Sequence, residues 1–158
     1  MGDTAWTLRP ATASDHDFLF ELNRAAMASY VQATWGWNEN EQVTYFDAHF
    51  EPSKRQVIQV DGTDVGVLAV DETPNEIYLA TIALLPHWQG QGVGSSILRS
   101  LLERGAETGR AVALQVLLCN PRAIKLYESF GFTRSGQSDT HVLMRVEPQA
   151  SQHDARTD

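Results

Sequence analysis

The residues of this sequence with the clearest chemical potential form a glycine-rich stretch, Gln89-Gly90-Gln91-Gly92-Val93-Gly94-Ser95. It follows an apolar run, Ile77 to Leu85, and precedes a segment with helical spacing, Ser96 to Arg104. Glycine has no Cβ, so a ligand can approach the backbone N–H groups of such a loop. A helix start adds unpaired N–H donors and a partial positive charge. The stretch therefore predicts an anion site, best suited to phosphate.

Two common phosphate-binding loops do not fit this stretch. A Walker loop needs Lys and then Ser or Thr after its last glycine, whereas Ser95 and Ser96 follow Gly94 directly. A Rossmann fingerprint needs glycine where Ser95 stands, and only one strand–helix–strand unit is evident. A turn without a ligand stays open as an alternative, although glycines at a helix start cost stability if nothing uses them.

A family resemblance rests on two segments. The spacing Gln89-x-x-Gly92-x-Gly94 resembles the Arg/Gln-x-x-Gly-x-Gly/Ala loop of the Gcn5-related N-acetyltransferase (GNAT) family, which binds the pyrophosphate of acetyl-CoA. The segment NPRAIKLYESFGF, Asn120 to Phe132, resembles the second cofactor segment of that family, Asn-x-x-Ala-x-x-Leu-Tyr-x-x-x-Gly-Phe. Both segments stand in the family's order, and the resemblance covers about residues 6 to 146. It implies acetyl transfer from acetyl-CoA to an amine.

Periodicity and turn residues predict the elements that must position these segments. The predicted strands are 6–9, 57–60, 65–70, 76–85, 111–118, 132–134 and 141–146, and the predicted helices are 14–28, 38–52, 96–104 and 121–130. With the resemblance, they imply a GNAT-like α+β fold. Its mixed, mostly antiparallel central sheet has about seven strands and is flanked by about four helices.

The sequence also makes four local predictions. Ser14 and Asp17 resemble a capping pair at the start of the first helix. The aromatic stretch Tyr30 to Trp37 shows no period and is interpreted as a loop. Val43, Phe46 and Phe50 are expected to face inward from the second helix. The apolar strand 76–85 is expected to be buried and central.

Composition limits the function classes. The 158 residues fit one domain, assigned to residues 1–147, with a polar and disordered tail at 148–158. The single Cys119 excludes an internal disulfide, and neither a signal peptide nor a membrane-spanning run is visible, so we expect a cytoplasmic protein. The net charge of −8 argues against nucleic acid as a partner. The five histidines show no metal-ligand spacing, so no metal is expected.

The resemblance assigns the donor side residue by residue. The backbone of Ile82, Ala83 and Leu84 would contact pantetheine, and the Leu84 N–H would stabilise the oxyanion. The pyrophosphate would lie on N–H groups of Gln89, Gly90, Gln91, Gly92, Val93, Gly94 and Ser95. Asn120 would contact pantetheine, with a helix cap as its alternative role. Tyr127 would be the general acid, since a phenol with a pKa near 10 can protonate a thiolate.

The base and the acceptor side are less defined. Two positions where relatives carry a catalytic Glu hold Tyr78 and Gln115 here. Deprotonation through water is therefore expected, ending on Glu76 or on His141. Trp35, Trp37 and Glu39 would form the acceptor side, because aromatic rings and a carboxylate suit an amine. The alternative is that Trp35 and Trp37 fill the core while Glu39 lies in the first turn of a helix. The resemblance also places His141 there, because the last strand of the family borders the acceptor site.

The function implied is N-acetylation of a primary amine on a small molecule or peptide, by direct attack in a ternary complex. Two alternatives stay open: a non-catalytic acyl-CoA sensor of the same fold, and transfer of a longer acyl group past Ala80 and Leu84. A homodimer also stays open, and no membrane partner is expected.

Overall fold

The computed structural model describes residues 5–148, which contain seven strands, four α-helices and three one-turn 3₁₀ helices. The 3₁₀ helices are Ala13–Asp15, Pro52–Lys54 and Pro86–Trp88. The main elements are β1 Thr7–Pro10, α1 His16–Thr34, α2 Glu39–His49, β2 Gln56–Val60, β3 Thr63–Glu72, β4 Glu76–Leu84, α3 Val93–Thr108, β5 Ala111–Leu117, α4 Pro121–Ser129, β6 Thr133–Gln137 and β7 His141–Val146. Beyond Pro148, the predicted tail lies outside the described residues.

The strands form one sheet in the order β1-β2-β3-β4-β5-β7-β6. The β4–β5 pair is parallel, and the pairs β1–β2, β2–β3, β5–β7 and β6–β7 are antiparallel. This arrangement confirms the predicted α+β fold class with a mixed, mostly antiparallel sheet. It also confirms the central place of β4.

The described residues divide into two compact units. The first takes in residues 5–69 and 81–94, and the second takes in residues 70–80 and 95–148. The assignment of residues 1–147 to a single domain stays a prediction.

The core of the first unit is built around α1. Leu19, Phe20 and Leu22 of this helix are buried in one cluster with Phe46 of α2 and strand residues of β2 and β3. Of the residues predicted to face inward from α2, only Phe46 is buried within the helix. The prediction for Val43 was wrong, since 37% of that residue is exposed. Phe50 follows the helix end and packs partly against the cluster.

Both ends of α1 differ from the sequence prediction. At its start, α1 follows the 3₁₀ helix Ala13–Asp15, whose capping pair is Thr12 with Asp15 rather than the predicted Ser14 with Asp17; the Asp15 carboxylate accepts from the Thr12 N–H at 2.8 Å. At its end, the helix continues through the aromatic stretch to Thr34. Gly36 stops it with a φ of 83° and donates to the carbonyls of Val31 and Gln32. Aromatic composition alone was therefore no sign of a loop.

The second unit contains β5, β6 and β7 together with α4. β5 is buried except at Gln115, and Val142 and Met144 are buried on β7, as the apolar runs predicted. The prediction for β4 was only half right. Ile77 and Leu79 are buried, but Ala80 is exposed and Thr81–Leu84 are half-buried. The parallel register covers only Glu76–Leu79 against Ala111–Leu114, which explains the change along the strand.

The buried carboxylate of Asp15 connects β1 to the segment that precedes α1. Asp15 is 8% exposed and receives both terminal nitrogens of Arg9, at 3.0 and 2.8 Å. Arg9 also donates to Asp64 at 2.9 Å. The hydrogen bond from Arg9 is the largest cause that lowers the pKa of Asp15 from 3.8 to about 2. Asp15 therefore stabilises the fold above its ordinary pKa, and this contribution is lost as the pH falls through the folded pKa.

We expect Asp15→Asn to lower the free energy of unfolding by about 2 kcal/mol at pH 7. The difference from the parent protein should shrink as the pH falls from 5 to 3, because the parent loses the same contribution. Urea unfolding at pH 7, 5 and 3 measures this. Asp71→Asn is the matched control, since Asp71 is exposed and forms no ion pair with another described residue. A difference that stays constant down to pH 3 would contradict the assignment.

Candidate functional site

The glycine-rich loop leads directly into a helix, earlier than predicted. α3 begins at Val93 rather than Ser96, so Gly94 and Ser95 belong to its first turn. Gly90 and Gly92 have φ angles of 76° and 89°, which L side chains rarely adopt. The first N–H groups of the 16-residue α3 have no partner within the helix. The loop and helix start together can therefore bind an anion through the backbone.

Two glutamine side chains shape this loop. Gln89 Nε2 donates to the Leu84 carbonyl at 3.0 Å, and Gln91 Nε2 donates to the His87 carbonyl at 2.8 Å. The first bond ties the loop to the end of β4. Because both amides serve the loop itself, what the loop offers an anion comes from its backbone.

Gly94 is not required by packing. A Cβ added there would meet only Leu84 Cδ1, at an ordinary 3.7 Å. Gly66 on β3 is different, because a Cβ there would overlap the Ala83 carbonyl oxygen and lie 2.7 Å from Leu84 Cδ2. The β3 backbone thus fixes Ala83 and Leu84 closely, and Leu85 adds a hydrogen bond to the Val65 carbonyl at 2.9 Å.

The segment predicted to contact pantetheine has the right backbone setting. Ile82, Ala83 and Leu84 are half-buried, and within the described residues they lie beyond the parallel register of β4 with β5. The register that joins β4 to β5 therefore does not include their backbone groups. A segment in this setting can pair with an extended ligand as a strand would.

In the second unit, α4 carries Asn120 and Tyr127. Asn120 caps the helix, with Oδ1 accepting from the Ala123 N–H at 3.2 Å and Pro121 in the first helical position. The cap leaves Asn120 Nδ2 without a hydrogen bond to another described residue, so the amide has a donor left for a ligand. The ring of Tyr127 lies edge-on to Phe132, with centroids 5.7 Å apart. Burial raises the pKa of Tyr127, so its phenol stays protonated to higher pH than an ordinary tyrosine.

The two residues predicted to receive the amine proton have defined neighbours. Glu76 Oε1 accepts from Arg145 Nη1 at 2.6 Å, so its carboxylate is engaged in an ion pair. His141 opens β7 as predicted, and its Nδ1 lies 2.8 Å from Thr140 Oγ1. His141 is half-buried.

A cluster around Arg24, here called the Arg24 cluster, holds the predicted acceptor residues Trp37 and Glu39 together with Phe20 and Glu21. Both terminal nitrogens of Arg24 bind the Glu39 carboxylate, one at 2.6 Å, and Trp37 Nε1 donates to Glu39 at 3.1 Å. The guanidinium lies 5.1 Å from the Phe20 ring centre and 6.0 Å from that of Trp37. The hydrogen bond from Arg24 is the main cause that lowers the pKa of Glu39.

The cation expected from a substrate is therefore supplied here by the chain itself. Trp35 stands apart from this cluster and is 59% exposed. The sequence interpretation missed Arg24, although its spacing of four from Phe20 places both on one side of α1.

Comparison with known proteins gives a consistent result. The model of the acetyltransferase (GNAT) family matches residues 17–132. The chain is 38% identical over 79 residues to the N-alpha-acetyltransferase RimI of Mycobacterium tuberculosis, covering 48% of this chain and 49% of that protein. It is 29% identical over 100 residues to the L-amino acid N-acetyltransferase AaaT of Escherichia coli, covering 60% and 62%. These matches span about half to three fifths of the relatives' length.

Solved structures share the fold. The PaiA N-acetyltransferase of Thermoplasma acidophilum, solved with coenzyme A, has a TM-score of 0.72 at 16% identity, covering 90% of this chain and 99% of that one. Among residues 5–148, no helix is long and apolar enough to cross a membrane.

We expect Gln89→Ala to weaken coenzyme A binding roughly two- to tenfold, the worth of one lost hydrogen bond. Gln89→Arg should recover most of the affinity, because a guanidinium can also donate to the Leu84 carbonyl. Isothermal titration with coenzyme A measures both. Gln56→Ala is the control, because Gln56 is exposed and lies at the start of β2, outside the glycine-rich loop. Equal affinity of Gln89→Ala and the parent would show that the tether does not shape the loop.

Proposed function

Because this chain belongs to the acetyltransferase (GNAT) family, we propose that it transfers an acetyl group from acetyl-CoA to a primary amine. Acetyl-CoA is the acyl donor of the family. The observation that carries the proposal is the loop from Gln89 to Gly92, with two glycines at positive φ, running into the first turn of α3. This geometry suits the pyrophosphate of the donor, and the free Cβ position at Gly94 supports it.

The proposed reaction is direct attack in a ternary complex. A neutral amine attacks the thioester carbonyl, so the C–N bond forms, the C–S bond breaks and the thiolate leaves. Tyr127 protonates that thiolate, and the raised pKa of its phenol supports this role by keeping the proton available. The Leu84 N–H is proposed to stabilise the oxyanion, supported by the tight fixing of Leu84 against Gly66.

The amine proton is proposed to leave through water to His141. Glu76 is the weaker candidate of the two, because its carboxylate holds Arg145 at 2.6 Å. Imidazole is a common proton acceptor in enzyme sites.

The acceptor is proposed to be the α-amine of an amino acid or of a peptide end. The names of the relatives support this class, since they describe an N-alpha-acetyltransferase and an L-amino acid N-acetyltransferase. A putative ribosomal protein bS18-alanine N-acetyltransferase of Bacillus subtilis is 26% identical over 134 residues, or 84% of each chain. Trp35 is proposed to contact the acceptor, while Trp37 and Glu39 act through the Arg24 cluster.

The proposal is tested by release of free thiol from acetyl-CoA in the presence of amino acids, Ala-initiated peptides, lysine peptides and polyamines. Release with amino acids or peptide ends alone is the expected outcome. Release only with polyamines or lysine side chains would overturn the acceptor class. Binding of acetyl-CoA without release from any acceptor would favour the sensor, and absence of binding would overturn the function.

We expect Tyr127→Phe to lower kcat by about 100-fold or more, the usual contribution of a positioned acid, with little change in the Kd for coenzyme A. The high-pH limb of the parent's rate profile should lie above pH 10, because the pKa of Tyr127 is raised. Steady-state rates and titrations measure these quantities. Tyr45→Phe, at a residue 63% exposed on α2, is the matched control. Parallel losses in kcat and in affinity would contradict the acid role.

A further inference from the structure

α2 has little hydrophobic anchorage of its own. It has 11 residues, and Phe46 is the one it buries. The Phe46 ring contacts Phe20 and His16, each at 5.3 Å between centroids, and stacks on Phe50 at 5.5 Å. A helix of this length is marginal alone in water, so its position depends on the few contacts that it makes with α1.

Charged contacts hold α2 at each end. Near its N-terminus, Glu39 receives both terminal nitrogens of Arg24, and we call this contact the N-terminal latch. Near its C-terminus, Asp47 Oδ1 lies 2.6 Å from His16 Nε2, and we call this contact the C-terminal latch. Arg24 and His16 both belong to α1. The two latches flank the single buried ring.

The C-terminal latch depends on the proton count of His16. Its Nδ1 lies 2.9 Å from Asp17 Oδ1 while its Nε2 faces Asp47. Neutral imidazole has one N–H, so one ring nitrogen would then oppose a carboxylate oxygen with no proton between them. Only the imidazolium satisfies both contacts.

Among residues 5–148, the charged groups in contact with His16 are two carboxylates. Asp17 faces it from α1 and Asp47 from α2, and the other contacts are the uncharged rings of Phe46 and Phe50. The preceding Asp15 is bound to Arg9. The hydrogen bonds to Asp17 and then to Asp47 raise the pKa of His16. The docked state is therefore favoured below the ordinary pKa of histidine, and the advantage is lost as the pH rises through the raised value.

We propose that Arg24 and His16 are positioning residues that dock α2 on α1, and that loss of the His16 proton loosens the C-terminal half of α2. The inference rests on the proposed function in one respect: it makes the latches regulators of the acceptor side, which includes Trp35 and the turn that leads into α2. Acceptor amines lose their own proton in the same direction of pH. As the pH rises, α2 is thus held less firmly beside the acceptor side while the acceptor amine becomes neutral and able to attack.

Hydrogen exchange of the intact protein tests the latches without any acceptor. Protection of peptides from α2, corrected for intrinsic exchange, should fall about two- to fivefold from pH 5.5 to 8.5, the range expected of an exposed pair. Asp47→Asn should remove this pH dependence, and His16→Gln provides a second variant without the titrating group. Glu39→Gln should lower protection at all pH values, because Arg24 stays charged.

His49→Gln is the matched control, since His49 lies on α2 and contacts only the Tyr45 carbonyl and ring among the described residues. It should keep the pH dependence. In an NMR titration, the pKa of His16 should fall in Asp47→Asn, which a purely structural contact would not produce. Peptides from α3 report whether a variant is folded.

Each outcome separates the two proposals. A pH dependence that persists in Asp47→Asn and His16→Gln, or disappears in His49→Gln, overturns the latch. An unchanged α2 with normal coenzyme A binding overturns the latch alone. Failure to bind coenzyme A, with α2 responding as expected, overturns the proposed function alone.

Discussion

The hydrogen bond from Gln89 to the Leu84 carbonyl is the constraint on which the donor side of the first unit depends. It joins Leu84, the last residue of β4, to the loop that precedes α3. The end of the strand and the loop therefore restrain each other. β3 reinforces the same point, because Gly66 lets its backbone approach Ala83 and Leu84. A rigid backbone cradle of this kind lowers the entropy lost when a flexible ligand binds.

The helix α2, also in the first unit, is held in place by a different kind of interaction. α2 is held by charge at its ends and by one ring between them, rather than by an apolar stripe. Our proposal makes the docking of this element depend on the charge of His16 and of Arg24. In our proposal, the unit combines a rigid loop that binds the donor with a helix whose docking can change.

Much of the fold could be predicted from the sequence because its signals were local. Strand β7, the Asp61–Gly62 turn, the Asn38 cap and the Gly131 stop after α4 appear where their residue types indicated. The errors arose where tertiary structure decides. The end of α1 depends on Gly36, since nothing before that residue breaks the helix. The exposure of β4 beyond Leu79 depends on where its pairing with β5 stops, which no single segment encodes. Arg24 was missed because Trp37 and Glu39 lie beyond the end of its helix in the sequence, and Glu39 alone looked available to a substrate.

The nest around Arg24 is in effect a receptor for a guanidinium ion, built from a carboxylate, an indole and a phenyl ring. Shortening Arg24 would remove the guanidinium, while the carboxylate, the indole and the phenyl ring would remain in the chain. A small guanidinium compound dissolved in the buffer then has the same partners available as the lost side chain. The docking of α2 on α1 would then depend on the added guanidinium compound instead of on the Arg24 side chain. Its strength would increase with the concentration of that cation.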